Sequence, residues 1–104
     1  MDNDRRRAER YFFSAQAEVT ESGTALGIHS RVSELSQHGC YLDMMNPFPA
    51  NTAVKVKITA GDETFSADTR VVHATSNVGS GVEFLEATTE DRALLDRWLH
   101  QAAQ

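Results

Sequence analysis

Two groups of residues in this 104-residue chain have the types and spacing to do chemistry. The first is Arg6-x-x-x-Arg10, and the second is Glu34-x-Ser36-x-x-Gly39, with Glu34 placed 24 residues beyond Arg10. Arginine's planar fork matches the paired oxygens of a phosphate, or O6 and N7 of a guanine, and its flat face stacks on a base. Two arginines four apart span ~13 Å when extended, enough to embrace a small anion. In a strand, Glu34 and Ser36 would point to the same side. There the carboxylate would accept from N–H donors of a ligand, and the hydroxyl would meet a phosphate or another polar edge. Gly39 permits a positive φ, which would let a turn bring backbone close to a ligand. The same residues admit plainer roles: a solvated arm, an ordinary turn, and a surface ion pair contributing ~0.5 kcal/mol. Arg5 and Arg7 read as secondary contacts or solubilising charge.

The remaining reactive side chains point away from catalysis. His38 and Cys40 would share a face in a regular strand, yet His29, His73 and His100 fall in separate elements and no third metal ligand is evident. Cys40, the single cysteine, falls on the apolar side of its segment and reads as packing. It cannot form an internal disulfide, which agrees with a reducing compartment. A Cys–His nucleophile would need an orienting partner and an oxyanion site, and the sequence shows neither. No glycine-rich phosphate loop precedes a helix, so nucleotide hydrolysis has no support.

Charge narrows the choice of partner. In the first ten residues, four arginines stand against Asp2, Asp4 and Glu9, leaving +1. The other 94 residues hold six basic and twelve acidic groups, or −6, and the chain totals −5. A body of that sign repels DNA, RNA and anionic lipid, while the arginines can still hold a small anion locally. No run of ~18 apolar residues exists to span a membrane. The first fifteen residues are charged and lack an apolar signal core, so a cytoplasmic domain is expected.

The elements that must position these residues are mostly strands. Phe13, Ala15, Ala17 and Val19 alternate with polar neighbours, and Leu26 to Ser36 forms a second strand with Ile28 and Val32 inward. The alternation breaks near Glu34, where Leu35 is the apolar residue, so a bulge is expected there. Cys40, Leu42 and Met44 form a third strand, which Asn46-Pro47-Phe48-Pro49 ends because proline cannot donate to the ladder. Val54, Val56 and Ile58 alternate with Lys55 and Lys57; after a Gly61-Asp62 turn, Phe65, Ala67, Thr69 and Val71 repeat the period. Asn77 to Gly81 reads as a turn region, and Val82 and Phe84 carry the last strand. Six short strands joined by turns predict an antiparallel barrel or sandwich. Leu94, Leu95, Trp98, Leu99 and Ala102 then fall at helical spacing, with Thr88 or Thr89 as cap and Glu90 and Asp91 suiting the positive end of the helix dipole. Trp98 should lie over one side or opening of the barrel.

The arginine pair, the Glu34-x-Ser36-x-x-Gly39 group and Gly81-Val82-Glu83-Phe84 together resemble the PilZ domain family, bacterial receptors for the second messenger cyclic di-GMP. That family carries an Arg-x-x-x-Arg arm followed by Asp/Asn-x-Ser-x-x-Gly, and a Gly-x-x-Phe ending to its last strand. Glu34 departs from the pattern, standing where the family has Asp or Asn. The resemblance covers nearly the whole chain and implies a six-stranded antiparallel PilZ-like β-barrel with a C-terminal helix. It implies one domain: a flexible basic arm over residues 1–11, a barrel over 12–86 and a helix over 88–102. It also implies cyclic di-GMP as ligand, no cofactor and no enzymatic activity. Arg6, Arg10, Glu34, Ser36 and Gly39 would form the site, with Arg5 and Arg7 secondary. Ligand binding would rearrange the arm, and an unidentified protein partner would read the change. The alternative is a degenerate PilZ-like interaction module, of the kind found in type IV pilus assembly, that does not bind the nucleotide. Such modules typically lack the arginine arm.

Overall fold

A computed structural model describes residues 9–104. The strands run β1 Tyr11–Glu21, β2 Gly27–Leu35, β3 Gly39–Asp43, β4 Ala53–Ala60, β5 Glu63–Thr75 and β6 Gly79–Glu86, followed by helix α1 Thr89–Ala102. Every pairing is antiparallel, and the order β1-β2-β3-β6-β5-β4 closes on itself because β4 pairs with β1. Alternation along each strand puts one set of side chains inside. Val19, Val32, Leu42, Val54, Val56, Ile58, Phe65 and Val71 are at most 1% exposed.

Several local expectations are revised. Ile28 is exposed rather than inward, because β3 pairs with β2 only from Arg31 onward and no strand covers the hairpin end. The turn after β5 spans only residues 76–78, and Gly79–Gly81 already belongs to β6. The barrel begins at Tyr11, one residue before the expected boundary of the arm. Most of that arm lies outside the described residues. The bulge near Glu34 is present as a register shift between Val32 and Glu34 against β3, facing a second shift in β1 between Phe12 and Ala15.

The helix closes the end of the barrel where β1 and β5 begin. Thr88 caps it, its hydroxyl accepting from the Asp91 amide at 3.0 Å. Asp91 also accepts from the Ser66 amide at 3.3 Å, which ties the first turn to β5. Further along, Trp98 is 2% exposed and stacks obliquely on Phe13, with ring centroids 5.2 Å apart. Its indole N–H donates to Glu63 at 3.1 Å, and Arg97 donates to the same carboxylate at 2.7 Å. No helix is long and apolar enough to cross a membrane among the described residues.

Candidate ligand-binding site

The end of β2, the turn into β3 and the outer faces of β5 and β6 surround a cavity of about 270 Å3. Arg10, Glu34, Ser36 and Gly39 all line it, so the β1–β2 pairing and the turn into β3 bring together every described member of the two sequence groups. The Arg10 Nε lies 3.9 Å from Glu34 Oε1, with the two side chains 75% and 40% exposed. That is a loose pair at the rim, held weakly against solvent. Arg5, Arg6 and Arg7 lie outside the described residues.

Ser36 and Gly39 enter the site differently from the sequence expectation. β2 ends at Leu35, so Ser36 sits in the turn and does not share a strand face with Glu34. Its side chain is buried; the hydroxyl accepts from the His38 and Gly39 amides, both at 3.2 Å, and donates to the Gly39 carbonyl at 3.2 Å. Together with the Ser36 amide bond to the same carbonyl at 2.9 Å, these contacts fix the turn. In this arrangement the Ser36 hydroxyl is engaged within its own turn rather than free for a ligand.

Gly39 does not adopt a positive φ; the glycines that do so within turns are Gly23 and Gly61. What Gly39 supplies is close approach, since a Cβ there would collide with the Val82 carbonyl of β6. The glycine lets β3 lie tightly on β6 where the cavity floor forms.

His38 is exposed in the turn and lines the cavity, while Cys40, the next residue but one, faces the core. Both residues nevertheless border the cavity, His38 from the exposed turn and Cys40 from the core side. Burial pushes the Cys40 thiol up to about 12, so it stays protonated and unreactive at neutral pH. Among the described residues no group of three His, Cys, Asp or Glu side chains is placed to hold a metal ion. The cavity also includes Tyr41, Val72 and His73, which sequence reasoning did not single out. Val72 and His73 arrive together because a register shift between Val71 and His73 interrupts the alternation of β5.

The sequence model of the PilZ domain matches residues 4–101. The chain belongs to the PilZ domain family. The solved structures it resembles agree on the fold. The PilZ domain of CeSA from a cellulose-synthesizing bacterium superposes with a TM-score of 0.72 at 15% identity, covering 92% of this chain and 99% of that one. The PilZ domain of YcgR from Escherichia coli, solved with cyclic di-GMP, gives 0.72 at 15% identity over 95% and 92% of the two chains. The Bacillus subtilis inhibitor of motility MotI/DgrA gives 0.73 at 13% identity over 91% of this chain, which spans 50% of that protein. No curated protein sequence matches this PilZ domain at a significant level.

Proposed function

We propose that this PilZ domain is a reversible receptor for cyclic di-GMP, which binds in the cavity between Arg10, Glu34 and the Ser36–Gly39 turn. The observation that carries the reading is the convergence of Arg10 and Glu34, remote in sequence, at the rim of one cavity in a PilZ barrel. Arg6, four residues before Arg10, would complete the clamp from the arm. The ligand offers two phosphates and two guanine edges, each a partner for an arginine fork. Catalysis has no role in this reading, and the nucleotide leaves unaltered.

The signal would pass through the root of the arm. Arg10 lines the ligand cavity, whereas Glu9 and Tyr11 on either side of it line a second cavity of about 510 Å3 against α1. The β2–β3 turn is divided in the same way, with Ser36 and His38 toward the first cavity and Gln37 toward the second. Drawing Arg10 onto a ligand therefore reshapes the surface beside Asp96 and His100, where a protein partner would read it.

Titration calorimetry with cyclic di-GMP tests the reading. Heat is expected with about one or two ligands per chain, and Arg6→Ala and Arg10→Ala should each weaken binding by ~1.5–3 kcal/mol, the range for hydrogen bonds to a charged group. Circular dichroism should show both variants folded. A silent titration of the wild-type chain supports the interaction-module alternative.

A further inference from the structure

Tyr41, Gly81 and His73 stand opposite one another on β3, β6 and β5, forming one outward-facing row across three strands. The Tyr41 and His73 rings lie 5.9 Å apart between centroids, inclined at 40°. The intervening strand makes this approach possible. Gly79 and Gly81, alternate residues of β6, carry no side chains: a Cβ at Gly81 would lie 3.0 Å from His73 Nε2, and one at Gly79 would lie 2.9 Å from Tyr41 Cε2. Each ring thus settles against bare backbone on one side. Both rings, with Arg10 and Glu34, line the same cavity.

We infer that the Tyr41–His73 pair is a stacking platform for a base of the ligand, in the cavity that Arg10 also lines. The inference rests on the nucleotide-receptor reading above. Flat purines are attracted to aromatic faces whatever their hydrogen-bonding pattern. The platform therefore contributes affinity, and the charged rim contributes discrimination. With their centroids 5.9 Å apart, the two rings lie close enough for one base to contact both. The β5 bulge is the device that turns His73 onto this row.

The test is calorimetry with cyclic di-GMP on the full chain and its variants. Tyr41→Ala and His73→Ala should each weaken binding about tenfold, within the range that one base–aromatic stack supplies. Tyr41→Phe and His73→Phe, which keep the ring, should stay within about twofold of wild type. Gly81→Ala, which crowds the His73 ring without removing it, should weaken binding while thermal denaturation still shows a cooperative fold. Because the rings also cover β6 backbone, His73→Ala and Gly81→Ala remain informative if Tyr41→Ala fails to fold. A wild-type chain that binds, together with alanine variants at Tyr41 and His73 that bind equally well, overturns the platform alone. A wild-type chain that does not bind overturns the receptor reading and the platform with it.

Discussion

Glu34 is the residue at which this chain departs from its family's pattern, and its geometry gives the departure a consequence. Its carboxylate is longer than that of aspartate by one methylene, a displacement of ~1.5 Å. In the free protein it reaches to 3.9 Å from Arg10, the arginine that should meet the ligand. The pair is exposed and contributes little to stability. It nonetheless draws Arg10 toward an internal partner, and the longer side chain has one more torsion to restrain. Glu34→Asp is expected to tighten cyclic di-GMP binding by ~0.5–1.5 kcal/mol, the net contribution of about one hydrogen bond. Calorimetry of Glu34→Ala then separates contact from competition: weaker binding means the carboxylate touches the ligand, tighter binding means it obstructs. Affinity unchanged in both variants would remove Glu34 from the site.

At the scale of elements, α1 is held by its cap, by the buried Trp98 and by one carboxylate on the strand beneath. Glu63 accepts from Arg97 and Trp98, and these bonds hold its carboxyl below the usual carboxylate range, Arg97 having the larger effect. A lowered folded pKa stabilises the fold above the unfolded value of ~4.3 and loses that contribution as pH falls through the folded value. Denaturant titrations between neutral pH and about pH 3 should therefore show an acid-side loss of stability that Glu63→Gln reduces. An unchanged pH slope in Glu63→Gln would mean that other carboxylates govern the acid limb. The amide can still accept from the indole, so at neutral pH the variant should keep its docked helix.

For the whole molecule, closure and charge act together. In the closed six-stranded order every strand has a partner on both sides, so among the described residues only strand ends, such as Gly27–Ser30 of β2, remain as open edge. The net charge of −5 opposes loose binding of anions, so any anion that stays must be held by directed contacts. Tripolyphosphate should accordingly bind poorly. Cyclic di-AMP should bind less tightly than cyclic di-GMP, since adenine N6 donates where guanine O6 accepts from arginine. Competition titrations measure both, and equal affinity for the two dinucleotides would sink a guanine-specific contact. The stacking platform by itself would accept either purine, so the size of the difference reports on the charged rim.

The sequence alone determined the strand count, the inward residues of most strands, the capped helix and the family resemblance. These properties follow from neighbours within a few positions: alternation sets which face is buried, and Thr88 satisfies the first turn of the helix. Tertiary structure decided what depends on strand pairing and on the geometry of the turns. It brought Arg10 to Glu34, turned the Ser36 hydroxyl into its own turn, pressed Gly39 against Val82 and left Ile28 uncovered beyond the reach of β3. It also aligned Tyr41, Gly81 and His73 across three strands. A side chain's face is a local property of its strand, whereas its cross-strand neighbour depends on register. Register here is set by bulges and by the closing β1–β4 pairing, whose partners lie far apart along the chain.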